Sequence, residues 1–540
     1  MVGVAGKSQA CNTCRERRLK CDLRQPFCRK CIKAKRECTG YDRGDRVFVN
    51  RSPSSPSTSA LSVLLGIRTP HKPRASKEIA ISSASEVELH SLFSKYPINS
   101  QQFRNYAVEV LKATYLPKYV NAETHHGSFS WVYGLKDLYK PSRSLDASLF
   151  AFCLSQLHAT TIGKAPLSKC LDQYNTALHH LSLDLDNPET RVQEETLAAI
   201  LVLSTCELFI CPGQNGWSIH AHGIAEILRL RKPGMKSTPA WCHLITRMRV
   251  ICTLEALTKR QSQIILENDI WRQVVNESGL NGALDEVYIM ITDVPNMLGK
   301  AVTLSSISDQ HILSTESAVV VQSMLTMIKS VKLWHDEFWK ASSTPRYWSV
   351  VSQATNPTDI GSISKVFSSC FEFESVSVAV PIVMCWAIST QLYSNVIQIV
   401  DLVKARLGHH DVLGDILAQA DEVTVDTRRD SCTVSNLPFD TREARLIENI
   451  REEGTRMARY ICQSLEYFHR TEMGTYGGHS TTYPCWSARQ YFRLHPGHER
   501  EWLWLQNMHQ MKGFGTHWGL SMMTFADITE PLGGFTGLAV

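Results

Sequence analysis

From about residue 85 onward, apolar residues recur at three- and four-residue intervals, the spacing that lays one stripe along a helix. This spacing predicts amphipathic helices over residues 144–158, with Ser144 as the N-cap, and over 172–185. Residues 194–210 are apolar nearly all round, which predicts a helix at the centre of a core. Residues 315–339 carry Val319, Val320, Met324, Ile328, Val331 and Phe338, and predict another long helix. The clearest period lies at 440–468: Asp440 and Glu443 stand in capping-box spacing, and Leu446, Ile450, Met457, Ile461, Leu465 and Phe468 share one face. Strand-like alternation and hairpin turns are scarce. The expectation is a mainly α chain whose large domain is all-helical.

Two stretches depart from that pattern. The longest uncharged run, 375–400, holds Val376, Val380, Ile382, Val383 and Trp386 but also Ser377, Pro381, Ser389, Thr390, Gln391 and Asn395. A membrane span needs about twenty predominantly apolar residues, so this run predicts a buried helix, and no membrane is expected as a partner. Residues 51–60 are mostly Ser and Pro with almost nothing to bury, which predicts a disordered tether. The apolar island 61–67, ended by Pro70 and Pro73, is too short for a coiled coil, which needs three or four heptads. The organisation expected is a small module at 1–45, a Ser/Pro linker at 46–84 and a large helical regulatory domain at 85–540.

Charge separates the small module from the rest. Residues 1–50 hold 13 Lys and Arg against 5 Asp and Glu, whereas the remainder holds 44 against 47. A polyanion-binding face is therefore confined to the amino end. The same segment reads C-x2-C-x6-C twice, through Cys11, Cys14 and Cys21 and again through Cys28, Cys31 and Cys38. Zinc favours four soft sulfur ligands in a closed tetrahedral site. Six thiolates are too many for one zinc and too few for two, unless two of them bridge both metals. The other 11 of the 17 cysteines are scattered from Cys153 to Cys485 without a second C-x2-C pair, which suits buried free thiols.

The stretch Cys11–Cys38 resembles the DNA-binding domain of the fungal binuclear zinc-cluster (Zn2Cys6) transcription factors. The basic run Arg15, Arg17, Arg18, Lys20, the Cys21-Asp22 pair, Pro26 and Gly40-Tyr41 all fit the likeness. The resemblance implies two structural zinc ions, with Cys11 and Cys28 bridging. It also implies base contact from Arg18, with Arg17 beside it, on a CGG-like triplet, since an arginine fork suits guanine O6 and N7. The remaining basic residues, Arg29, Lys30, Lys33, Lys35 and Arg36 in the second arm among them, fit phosphate contacts. Residues 144–235 further resemble the fungal-specific transcription factor domain, through Tyr174, Leu178 and Leu181, through Cys206-Glu207-Leu208-Phe209, and through Gly216-Trp217 leading on to Pro233.

The likeness implies a nuclear regulator of RNA polymerase II transcription that binds double-stranded DNA and engages the transcription machinery. A single module reads too little sequence, so a homo- or heterodimer through the helical domain is expected. A ubiquitin-ligase ring is excluded by spacing and by the missing histidine and eighth ligand. No H-E-x-x-H, G-x-S-x-G, Walker loop or G-x-G-x-x-G occurs, and no enzyme is expected. His220 and His222, two residues apart, face different ways on a helix and predict packing rather than metal binding.

Overall fold

Helix formation follows the apolar spacing closely. Within the first fifty residues the computed structural model describes residues 10, 11, 13, 14, 17, 19–22, 28–34, 36 and 38. Beyond them it describes residues 96–118, 129–160, 165–210, 216–230, 238–261, 282–362, 364–408, 439–511, 515 and 517. The Ser/Pro tether, the apolar island and the side chains of the capping pair Asp440 and Glu443 lie outside those residues.

Among the described residues, α1 (Arg29–Lys33) belongs to the cysteine module. The larger region begins with α2 (Gln101–Thr114), α3 (Ser130–Gly134), α4 (Arg143–Thr160), α5 (Leu167–Asp186), α6 (Glu194–Ile210), α7 (Gly216–Leu230) and α8 (Pro239–Lys259). It continues with α9 (Ala283–Met290), α10 (Val294–Leu304), α11 (Gln310–Lys340), strands β1 (Tyr347–Val351) and β2 (Ser369–Phe373), and α12 (Val376–Leu407). The helices α13 (Phe439–Phe468), α14 (Gly474–Ser480), α15 (Thr482–Leu494) and α16 (Glu499–Gln506) complete it.

The core is one apolar cluster reaching from Phe103 to Met508. As its apolar circumference predicts, α6 is buried on nearly every side. Helix α12 is long and apolar enough to cross a membrane, yet 94% of that apolar window is buried inside the protein. Its uncharged run feeds the core, and Gln391 and Asn395 find carbonyl acceptors there.

Three expectations are corrected. The cap of α4 is Ser142, whose Oγ accepts from the Leu145 amide at 3.2 Å; Ser144 lies inside the helix, buried, and donates instead to Asp184 of α5. Helix α11 starts at Gln310, because the Asp309 carboxylate caps the amides of His311 and Ile312, and Val319 faces solvent at 53% exposure. The large domain is not all-helical: β1 and β2 pair antiparallel in the register Tyr347↔Phe373, Ser349↔Phe371 and Val351↔Ser369. One face of this ribbon carries Tyr347, Phe371 and Phe373 onto Trp386 of α12 and Tyr460, Tyr467 and Phe468 of α13. Aromatic and β-branched residues suit such a half-buried pleat.

Glycine shapes the approach of α14. Gly474 has φ +58, and a Cβ there would stand 2.5 Å from the Tyr115 carbonyl oxygen. The absence of a side chain at Gly474 lets α14 lie against the end of α2, where the Tyr476 amide donates to that carbonyl at 2.9 Å, and the bare Gly477 lets it lie against the Phe468 carbonyl at the end of α13.

Candidate metal centre and nucleic-acid interface

The two C-x2-C-x6-C arms fold alike, and the repeat can be followed bond by bond. In the first arm the Cys14 amide donates to Cys11 Sγ at 3.4 Å; in the second the Cys31 amide donates to Cys28 Sγ at 3.3 Å. Leu19 N donates to the Cys14 carbonyl at 2.8 Å, and Arg36 N to the Cys31 carbonyl at 2.9 Å. Arg17 N reaches the Thr13 carbonyl as Ala34 N reaches that of Lys30. Each arm thus wraps a short turn around its first cysteine, and in the second arm the Cys28 sulfur is the N-cap of α1.

These turns bring the sulfurs together. Cys11, Cys14, Cys21 and Cys28 form one group of four, and Cys11, Cys28, Cys31 and Cys38 another, with all sulfurs in a group within 4.8 Å of one another. Cys11 and Cys28 belong to both groups, and their sulfurs are 3.5 Å apart. The Cys14–Cys28 and Cys11–Cys31 separations are 3.6 and 3.9 Å. A zinc ion with Zn–S bonds of about 2.3 Å spans a sulfur tetrahedron whose edges are about 3.8 Å, so the donor set fits the ion. Five of the six cysteines are buried and Cys21 is partly so. Burial pushes the thiols of Cys11, Cys14 and Cys31 up from their ordinary range, so thiolates at this spacing need cations to hold them.

Basic residues lie on both arms of this centre. Arg17, Lys20, Lys30, Lys33 and Arg36 are exposed and Arg29 is half-buried, while Arg15, Arg18 and Lys35 lie outside the described residues. Six thiolates and two zinc ions carry a formal charge of about −2, which these cations offset. Sequence reading assigned no role to Asp22, although the Cys21-Asp22 pair was there to signal it. Its carboxylate accepts from the Arg29 amide at 3.0 and 3.2 Å, tying the end of the first arm to the start of α1.

Elsewhere, His220 pairs with Tyr174 at 3.1 Å and Glu207 at 3.2 Å while His222 is exposed, an arrangement of packing rather than of ligation. No group of metal-ligand side chains other than the two cysteine tetrads occurs among the described residues.

Comparison with known proteins agrees with both parts of this picture. Residues 9–46 match the fungal Zn(2)-Cys(6) binuclear cluster domain, which holds two zinc ions, and residues 147–337 match the fungal specific transcription factor domain. Over 65 residues, 11% of each chain, the sequence is 45% identical to an uncharacterised transcriptional regulatory protein of Schizosaccharomyces pombe. Over 90 residues it is 34% identical to the transcriptional regulatory protein moc3 of the same organism, covering 17% of this chain and 16% of that one. The likeness to these curated relatives thus spans a small part of their length. No solved structure matches the chain.

Proposed function

This chain carries the two domains of the fungal zinc-cluster transcription factors, and we propose that it is a nuclear, sequence-specific DNA-binding regulator of RNA polymerase II transcription. The observation that carries this reading is the pair of sulfur tetrads sharing Cys11 and Cys28, with exposed cations on both arms. In this reading Cys11 and Cys28 each bridge both zinc ions, and Cys14, Cys21, Cys31 and Cys38 complete the two tetrahedra. With every position filled by sulfur, the metal is structural and has no open site for an activated water. No enzymatic role is proposed.

Arg18, with Arg17 beside it, reads a CGG-like triplet in the major groove, and Arg15, Lys20, Arg29, Lys30, Lys33, Lys35 and Arg36 hold the phosphates. The proposed organisation is a DNA-binding domain at 1–45, a linker at 46–84 and a helical domain at 85–540. The single apolar core from Phe103 to Met508 supports treating that last region as one domain. A module reading about three base pairs is outnumbered by about a million competing sites, at about 1–3 kcal/mol per position. The helical domain therefore supplies a homo- or heterodimer contact as well as the link to the transcription machinery.

Selection of bound sequences from a random DNA pool tests this reading with the full chain. Enrichment of paired CGG-like triplets is expected, and Arg18→Ala should relax preference at one or two guanines by about 1–3 kcal/mol. Lys33→Ala should weaken all sequences alike and reduce the salt slope by about one unit. Recovery of no common sequence would overturn the proposal.

A further inference from the structure

Among the described residues, three arginines of the helical domain are more than nine-tenths buried: Arg104, Arg247 and Arg249. A guanidinium keeps its charge under all ordinary conditions, so burial requires a carboxylate or an equivalent set of acceptors. Arg104 has Asp146 at 2.6 Å and the Leu138 carbonyl, and Arg249 has Asp285. Arg247 meets no carboxylate among the described residues. Its Nη2 donates to Nε2 of His479 at 2.9 Å, and its Nε has no partner.

The bonds around His479 set the direction of the whole network. Burial first, and the Arg247 charge second, hold the imidazole well below its usual pKa, so it is neutral. With Nε2 accepting from Arg247, the ring proton sits on Nδ1, which lies 2.8 Å from the Tyr115 hydroxyl oxygen. Nδ1–H donates to that oxygen, and the Tyr115 proton is left to donate onward. Other buried groups of this core also have donors to spare. The Trp131 indole, 6.2 Å from Tyr115 between ring centroids, has an unpartnered Nε1. Gln156 accepts from Thr475, one helical turn before His479, while its Nε2 is unpartnered. Arg249 has Nε and Nη1 to spare.

The spare groups on Arg247, Arg249, Trp131 and Gln156 are all donors. The buried charges agree with them: two guanidinium ions, one Asp285 carboxylate and a neutral His479 leave one positive charge, while the neighbouring Glu286 carboxylate is exposed and accepts from the Trp334 indole. Tyr288 lies within electrostatic reach of Arg247, Arg249 and Asp285 together, so these charges share one neighbourhood. Phe152, Phe209 and Tyr476 flank Tyr115 at 5.3, 6.4 and 5.7 Å between centroids.

We infer that this cluster binds one small organic carboxylate with an apolar body, its oxygens on Arg247 and the Tyr115 hydroxyl and its apolar part among the aromatic rings. A single surplus charge matches a carboxylate better than a phosphate, which carries up to about two. The inference concerns the helical domain and stands or falls independently of DNA reading by the zinc module.

The test uses the full chain with benzoate and hexanoate, each beside its neutral amide, and with inorganic phosphate, all at one ionic strength. Both acids are expected to raise the Tm, whereas the amides and phosphate leave it unchanged. Arg247→Met preserves bulk and removes the charge. It is expected to raise the Tm of the ligand-free protein, because a buried charge without a counter-ion is lost, and to weaken carboxylate binding by about tenfold or more. Tyr115→Phe keeps the ring packing and should weaken binding about threefold or more. A Tm that neither acid moves, an equal response to amide or phosphate, or an Arg247→Met protein that is less stable with its carboxylate response intact would each overturn the assignment.

Discussion

Among the described residues between Cys11 and Cys38 the core consists of five buried cysteines, with Cys21 packed against them and the short helix α1 beside it. From Phe103 to Met508 it consists of aliphatic and aromatic side chains drawn from helices and one β-ribbon. A chain of a few dozen residues buries too little apolar surface to offset its own conformational entropy, so the first region needs metal where the second needs only itself. The difference has a consequence for regulation. The module's fold is one free energy with its zinc affinity, whereas the larger domain unfolds against water alone.

Chelation should separate the two most sharply. Structural zinc in small modules is worth about 10–16 kcal/mol, so a strong chelator is expected to abolish DNA binding while leaving the thermal transition of the helical domain in place. Circular dichroism melts and a zinc assay on the same sample measure both. A helical-domain Tm that falls with zinc would show the two cores to be one. Within the module, Cys28→Ala removes a sulfur from both tetrads and Cys14→Ala from one. Loss of both ions in the first and of one in the second is expected; equal loss would remove the bridging assignment.

The next largest effect belongs to the helical domain. Asp146 is fully buried against Arg104, and Asp146→Ala leaves that guanidinium without its counter-charge. Such removals cost about 3–5 kcal/mol. Urea unfolding should show that loss in the helical transition with zinc content unchanged.

The same contrast governs what could be read from sequence. In the module, ligand, turn and fold share one stretch of chain, so the spacing C-x2-C-x6-C contained nearly the whole arrangement. In the helical domain, local period sufficed for α6, whose bounds fall where the apolar run begins and ends, and for α12. It failed where partners are remote. The strands Tyr347–Val351 and Ser369–Phe373 are short, and each is recognisable only through the other. Arg247 meets His479 across 232 positions of chain, and Tyr115 meets it across 364. No window along the sequence contains those pairs. Capping failed differently: Ser142 and Ser144 are equally good residue types, and only the turn geometry chose the first.

Acid should act on the helical domain through its buried histidines. Burial, with His498 and Arg451 nearby, holds His495 down to about 3, and the ring pairs with the Ser394 hydroxyl at 2.9 Å. The unfolded chain protonates this group near 6.5. Its contribution is therefore complete above that pH and is lost progressively as pH falls towards the folded value. The loss amounts to about 1.4 kcal/mol per unit, or about 2 kcal/mol by pH 5. His495→Gln should flatten the fall in stability between pH 7 and pH 5 by that amount. An unchanged slope in urea titrations across that range would place the acid sensitivity elsewhere.

The smallest effect compares one kind of hydrogen bond in both regions. Ser100 Oγ accepts from the Phe103 amide at 3.1 Å and caps α2, while the Asp22 carboxylate accepts from the Arg29 amide at 3.0 Å at the start of α1. A lost cap costs about 1 kcal/mol. In the helical domain Ser100→Ala should appear as that change in unfolding free energy and in nothing else. In the module, folding and metal binding are coupled, so the same loss from Asp22→Ala should appear as about fivefold weaker zinc retention in competition with a chelating dye. The helical transition should not move, because Asp22 contributes nothing to that core. Zinc retention unaltered by Asp22→Ala would show that the sulfurs alone hold the arms together and that the Asp22 link is incidental. A zinc affinity reduced by Ser100→Ala would show that the two regions share a stability, contrary to the separation between a sulfur core and an apolar one.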